Sequence, residues 1–157
     1  MRVEVATTDD VDRVADLWVD LARDQRSYGS HLRAEANRVP VRETIARHAS
    51  EDTLLVARDD DVVGFVTVGV ETGSYAQDCT RGVVQNVYVV PERRDEGVGS
   101  ALLAAAEERL GDLGADVVAL DVLADNDAAW RFYRRAGYEP HRVEMEKSVE
   151  NDNHSKE

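Results

Sequence analysis

The hydrophobic pattern of the chain begins with the period of a strand and passes quickly to that of a helix. Val3 and Val5 alternate with Arg2 and Glu4, which predicts a half-buried strand. Thr7, Thr8, Asp9 and Asp10 then supply N-cap side chains, and Val11, Val14, Ala15, Trp18, Leu21 and Ala22 fall on one helical stripe. The stripe stops at the polar stretch Asp24 to Gly29. Residues 27–40 read as loop, and Pro40 suits the first turn of a second helix reaching about Ala49. Two segments rich in β-branched residues follow, Thr53 to Arg58 and Val62 to Val70. Asp59, Asp60 and Asp61 between them predict an antiparallel hairpin.

A further strand, Val83 to Val90, ends at Pro91. Val98 to Leu110 is alanine-rich with helical spacing and is stopped by Gly111 and Gly114. Val117 to Leu123 predicts a buried strand, Asp127 to Arg135 a short helix closed by Gly137, and Val143 to Lys147 a last edge strand. The order β-α-α-β-β-β-α-β-α-β contains no repeat and no linker long enough to divide domains. It implies one mixed α/β domain over residues 1–148, with a polar tail at 149–157 expected to be disordered. Helices following strands at Val90 and Leu123 predict a pair of parallel neighbours with the intervening helix as crossover.

Length and composition fit this picture: 157 residues, 43% of them apolar, can fill one core without disulfide or metal staples. Cys79 is the only cysteine and reads as a half-buried filler, and the four histidines lack the close spacing of a metal site, so no metal is assigned. No apolar run approaches the roughly 20 residues of a membrane span, and the N-terminus lacks the apolar stretch of a secretory signal. The expected location is cytoplasmic. Charge adds more. The formal net is -13, from 32 acidic and 19 basic residues, and only Lys147 and Lys156 among the latter are lysine. Nucleic acid and anionic membranes should repel such a chain. Acid excess with scarce lysine resembles proteins of organisms that balance brine with molar internal salt.

The stretch from Val87 to Leu103 is strand, glycine-containing turn and helix start. N–H groups at a helix start lack intrahelical partners and carry the positive end of the macrodipole, so a phosphate fits there. Gly97 and Gly99 leave room for close approach, and Arg94 can add a charged contact. The turn lacks the Gly-Lys-Ser/Thr ending of a P-loop and the third glycine of a dinucleotide fingerprint, which argues against a nucleotide-binding module.

Arg94-x-x-Gly97-x-Gly99 after a strand ending in Val-x-Val-x-Pro resembles the acetyl-CoA motif of the GNAT superfamily of N-acetyltransferases. The stretch Asn126 to Tyr138, with Asn126, Tyr133 seven residues on, and the Gly137-Tyr138 pair, is similar to that family's other signature. The resemblance covers about residues 2–147. It implies a mostly antiparallel sheet whose parallel central strands splay apart, with helices on both faces.

It further implies that backbone groups of Val87, Tyr88 and Val89 bond the pantetheine of acetyl-CoA. The pyrophosphate would rest on the turn formed by Arg94, Asp95, Glu96, Gly97, Val98, Gly99 and Ser100, with Asn126 near the cofactor and Tyr133 facing the thioester sulfur. Tyr133 would then act as general acid toward the leaving thiolate. Asp121, five residues before Asn126, stands where the resemblance to ribosomal-protein N-terminal acetyltransferases places a glutamate acting as proton acceptor.

Three departures accompany the match. Gln85 replaces a carboxylate common in relatives, for which Glu71 is a substitute, and Asp95 and Glu96 stand where relatives carry glycine and a basic residue. The implied partner is a small-molecule or peptide amine, bound between residues 28–38 and the loop Gly73 to Arg81. A homodimer is compatible with this reading. The competing reading is a non-catalytic acyl-CoA-binding module.

Overall fold

The structure is a computed structural model and describes residues 1–150. Strand β1 (Arg2–Val5) leads into a capping box: Thr7 accepts from the Asp9 N–H at 3.3 Å, while Asp10 accepts from the Thr7 N–H at 3.1 Å. Helix α1 (Val11–Arg26) follows, burying Val11, Val14, Ala15, Trp18, Leu21 and Ala22 as its stripe requires. Helix α2 (Arg38–Ser50) carries Pro40 in its first turn. Strands β2 (Leu54–Asp59) and β3 (Asp61–Val70) form the expected hairpin about Asp60, and β4 (Arg81–Val89) pairs antiparallel with β3.

Helix α3 (Val98–Asp112) crosses over to β5 (Val117–Ala119), which lies parallel to β4. Helix α4 (Asp127–Arg135) closes through Gly137 at φ +99°, with the Tyr138 N–H reaching the Tyr133 carbonyl at 3.0 Å. The strand order is β1-β2-β3-β4-β5. Both faces of the sheet are covered. Leu54, Val56, Val62, Phe65 and Tyr88 pack against α1 and α2 on one face; Leu55, Ala57, Val66, Val68 and Val84 pack against α3 on the other. Among the described residues no helix is long and apolar enough to cross a membrane.

Two expectations fail at the far side of the sheet. The strand expected over Val117 to Leu123 is only Val117–Ala119, and Val117 is exposed. The last edge strand expected over Val143 to Lys147 is absent: Val143 and Met145 are 77% and 89% exposed, and no strand pairing reaches them. β5 is therefore the edge of the sheet and not a central strand. The alternating pattern at 143–147 is real, but a strand also needs a neighbour, and these residues have none among the described ones. Most of the expected tail, residues 151–157, lies outside the described residues.

One ion-paired cluster ties the N-terminus to the sheet. Arg58 on β2 donates to Glu4 at 2.6 Å and to both oxygens of Asp10 at 2.9 and 3.1 Å, and Asp10 is only 7% exposed. Removing the guanidinium would leave the Asp10 carboxylate buried without a counter-charge. Arg58→Ala should therefore lower stability by more than the ~0–1 kcal/mol typical of exposed pairs, whereas Arg2→Ala, at an exposed pair with Glu4, should leave it nearly unchanged. Urea unfolding of both variants at constant KCl provides the check.

Candidate functional site

The site begins with an irregularity in β4. Thr67 pairs with Asn86 but the next residue, Val68, pairs with Val84, so Gln85 is a bulge. Its effect is visible four residues apart: Val84 packs on the α3 face and Tyr88 on the α1 face, although a regular strand would put both on one side. Asn86 donates to the buried Thr67 hydroxyl at 2.9 Å, anchoring the strand beyond the bulge. Val87 and Val89 turn toward α3 and are half-buried.

Beside this stretch the sheet opens. β4 and β5 pair only at Arg81↔Val117, Gly82↔Val118 and Val83↔Ala119, after which β4 continues to Val89 with no strand on that side among the described residues. Half-buried Val87, Val89, Leu120, Phe132 and Tyr133 belong to the same apolar cluster around this parting. The geometry is a V whose one arm, β4, offers backbone groups and whose floor is apolar.

The turn after β4 closes the end of the V. Asp95 has φ +63° and Gly97 φ +87°, two left-handed residues bracketing Glu96. Aspartate tolerates that conformation better than most non-glycine residues, which suits it to this left-handed turn position. No side chain caps α3, and the first bond of its ladder is Ala101 N–H to the Gly97 carbonyl at 3.0 Å. The N–H groups of Val98, Gly99 and Ser100 therefore lack backbone acceptors. A Cβ built on Gly99 would meet the Phe132 ring at 3.4 and 3.6 Å and Val89 at 3.8 Å. These are ordinary van der Waals distances, so a methyl group at Gly99 would fit between α3 and α4.

Charged side chains of this turn are already engaged within the protein. Glu96 accepts from Arg93 at 2.8 Å, and Arg93 also reaches Asp59 at 2.9 Å, so Glu96 is partly neutralised. Arg94 folds back: its Nε donates to the Val89 carbonyl at 2.9 Å, its Nη2 lies 3.5 Å from Asp24, and its guanidinium stands 5.3 Å from the Tyr88 ring centroid. Arg94 is thus engaged within the protein, while the amides at the start of α3 are not. Asp95 remains exposed without a side-chain partner among the described residues.

On α4, the Asn126 side chain accepts from the Ala129 N–H at 3.1 Å and so caps the helix. Tyr133 stands edge-on to Phe132 (centroids 5.2 Å) and to Tyr138 (6.0 Å), and burial alone pushes its phenol pKa up. It therefore stays protonated across neutral pH. Its hydroxyl has no hydrogen-bond partner among the described residues. Asp121 is exposed just past Leu120, with no ion pair among the described residues.

Glu71 is a poorer base than the sequence alone implies. Gln77 donates to it at 3.1 Å and Arg81 at 2.9 Å, which together hold its carboxyl below the usual range. These contacts clasp the β3–β4 loop around a polar cleft of about 360 Å³, lined by Thr72, Tyr75 and Cys79 among others. Sequence reasoning missed Trp130: its indole N–H is buried and has no acceptor, alone in this among buried side-chain groups of the described residues. A bound water or ligand would complete its bonding.

Comparison with known proteins agrees with this geometry. Residues 11–138 match the model of the Acetyltransferase (GNAT) family. The chain is 27% identical over 147 residues to an aminoalkylphosphonate N-acetyltransferase of Salmonella typhimurium, covering 92% of this chain and 88% of that protein. It is 35% identical over 139 residues to a mycothiol acetyltransferase of Clavibacter sepedonicus; that match covers 84% of this chain but only 42% of the relative's length. Among solved structures, an aminoglycoside N-acetyltransferase, AAC(6')-Iy in complex with CoA, superposes with a TM-score of 0.71 at 15% identity, covering 94% of each chain. The match across most of its length establishes that this chain belongs to the GNAT acetyltransferase family.

Proposed function

We propose that the protein transfers an acetyl group from acetyl-CoA to the amine of a small molecule. The observation that carries this reading is the parting of β4 from β5 directly beside an uncapped helix start, with an unpaired tyrosine hydroxyl on the apolar flank. A pantetheine arm is itself a chain of amides and can bond the free side of β4 at Val87 to Val89 as a strand would. The amides of Val98, Gly99 and Ser100 suit the pyrophosphate. That the named relatives act on aminoalkylphosphonate and aminoglycoside, by their names, supports a small amine as acceptor.

In this reading the amine attacks the thioester carbonyl, the carbon–sulfur bond breaks, and CoA leaves as a thiolate that takes a proton from the Tyr133 hydroxyl. An N–H on the free side of β4 stabilises the oxygen as its charge develops. Asp121 accepts the amine's proton, directly or through water; Glu71 is disfavoured because Gln77 and Arg81 both donate to its Oε1 and lower its basicity. The cleft inside the 71–81 loop is the proposed acceptor pocket, with residues 28–38 opposite.

Salt adaptation belongs to the same proposal. The net charge of -13 and the exposed Asp95 repel CoA at long range, and screening removes that repulsion while leaving contact bonds to the amides intact.

Tyr133→Phe should lower kcat by about 10² or more with little change in acetyl-CoA affinity, the usual scale for a positioned acid; thiol release with a panel of amines reads this directly. Because burial raises the phenol pKa, the alkaline loss of kcat should lie above pH ~10, the ordinary tyrosine value. Unchanged kcat in the phenylalanine variant would reduce Tyr133 to a packing residue.

Asp121→Asn should depress activity most below the pKa of the acceptor amine, with partial recovery at high pH where the amine deprotonates unaided. A loss equal at every pH would assign Asp121 a structural role.

Acetyl-CoA affinity, measured by calorimetry where circular dichroism reports a folded chain, should tighten between about 0.1 M and 2 M KCl as the Debye length falls from about 10 Å toward 3 Å or less. Monotonic weakening over that range would show that local attraction outweighs the global field.

A further inference from the structure

Most arginines of this chain are committed to partners; Arg38, Arg58, Arg81 and Arg93 each hold carboxylates. Helix α4 is different. Its stretch Arg131-Phe132-Tyr133-Arg134-Arg135 places three arginines in five residues, a density found nowhere else in a chain of net charge -13. All three are exposed, and among the described residues their side chains make no hydrogen bond or ion pair. Asp127, one turn before Arg131 and also exposed, is not paired with it. Arg131 and Arg135, four residues apart on one helix face, repel each other unless an anion lies between them.

Phe132 fixes where these side chains stand. Its ring is the nearest neighbour of a Cβ built on Gly99, in the first turn of α3. The Tyr138 hydroxyl donates to Glu107 at 2.7 Å, about two turns further along α3, so α4 runs beside α3 from its start. At about 100° per residue, Tyr133 lies to one side of Phe132, toward the apolar cluster, while Arg135 and Arg131 lie to the other, at about 60° and about 100°. These two therefore flank the contact with Gly99 on its solvent side, next to the amides that open α3. Arg134 is further round the helix, at about 160° from Phe132.

We infer that Arg131 and Arg135 bind the 3'-phosphate of CoA, so that the protein selects CoA over its dephospho form. The inference rests on the proposed function, in which pantetheine lies along the free side of β4 and the pyrophosphate meets the start of α3. The adenosine end then has to lie outside the V, over one of the two surfaces bordering that helix start. One is the turn carrying exposed Asp95 and Glu96; the other is the α4 face carrying Arg131 and Arg135. A phosphate monoester carries about -1.5 to -2 charges at neutral pH, so the first surface repels it and the second attracts it. A planar guanidinium can bond two phosphate oxygens at once. Arg94 cannot take this role without leaving Val89 and Tyr88. Helix α4 thus supplies a cationic contact that the turn lacks.

Calorimetric titration with CoA and with dephospho-CoA, which lacks only that phosphate, tests the assignment. An exposed ion pair weakens with salt, so the comparison belongs at the lowest KCl at which circular dichroism reports a folded chain. CoA should bind about tenfold more tightly than dephospho-CoA, the scale of charge-assisted hydrogen bonds to one phosphate. Replacing both arginines, Arg131→Gln with Arg135→Gln, should bring the two affinities within about twofold of each other while leaving that for dephospho-CoA nearly unchanged. Arg47→Gln, on α2, removes another exposed arginine with no ion pair among the described residues and should preserve the ratio. Equal affinities in the unaltered protein would overturn the inference and leave the acetyl-CoA site standing. A preference for CoA that survives the loss of both arginines would overturn it too, as would one that Arg47→Gln abolishes equally. If neither ligand bound, the proposed function itself would fall, and this inference with it.

Discussion

The structure turns on how far β4 is paired. Backbone N–H and C=O groups removed from water need partners, and β4 has them along its whole length on the β3 side but for only three residues on the β5 side. The bulge at Gln85 lies just beyond the last of these pairs and redirects the strand's side chains, so that Val87 and Val89 face the apolar cluster under α4 while Tyr88 fills the core beneath α1. A second parallel strand running the full length of β4 would close the V and cover those groups. Leaving it short keeps the free side of β4 beside an apolar floor, which in the proposed function receives the pantetheine arm. The helix start at Gly97 lies at the end of that free side because the chain must turn there to begin the crossover.

Local features were legible in the sequence because their causes are local. Thr7 with Asp10, Gly114 and Gly137 each cap or stop a helix through groups within a few residues, and the structure has them all; Asn126, which the resemblance implies near the cofactor, caps α4 as well. The bulge was not legible. Val83, Val84, Val87 and Val89 are apolar on both sides of Gln85, and a strand covered on both faces loses the alternation that would reveal a shift of register. The shortness of β5 was hidden for a similar reason: Val117 to Leu123 is apolar throughout, but whether it pairs depends on where β4 leaves it. Within the site, the glycine turn could be read from spacing, whereas Tyr133 was singled out only by the family resemblance. The engagement of Glu96 could not, since it depends on Arg93 being shared with Asp59 on the distant hairpin.

Acidity enters the architecture in two ways. Among the described residues all three non-glycine residues with positive φ are aspartates, Asp52, Asp60 and Asp95, at turns into β2, within the hairpin and before α3. Aspartate serves there because its short polar side chain tolerates the left-handed region. The surplus carboxylates are then gathered in pairs around arginine: Glu4 and Asp10 on Arg58, Asp16 and Glu35 on Arg38, Asp59 and Glu96 on Arg93. A planar guanidinium with five donors can hold two carboxylates at once, which a lysine ammonium does with less geometric definition. The near absence of lysine is consistent with that use.

Arg94 departs from this pattern, and its departure bears on how the turn can bind an anion. Its fork is divided among a carbonyl, an aromatic face and one carboxylate at the long distance of 3.5 Å, so it braces the end of β4. To reach a phosphate it would have to leave the Val89 carbonyl and abandon Tyr88. The amides of Val98, Gly99 and Ser100 need no such rearrangement, since they already point out of an uncapped helix. Their attraction acts at hydrogen-bond distance, whereas the repulsion from the acidic surface reaches about 10 Å at 0.1 M salt and about 3 Å at 1 M. Salt therefore separates the two: it removes the long-range term and spares the contact term. In the proposed function, a turn that binds through backbone donors, with its arginine committed to the fold, can tolerate an acidic neighbour such as Asp95 for that reason.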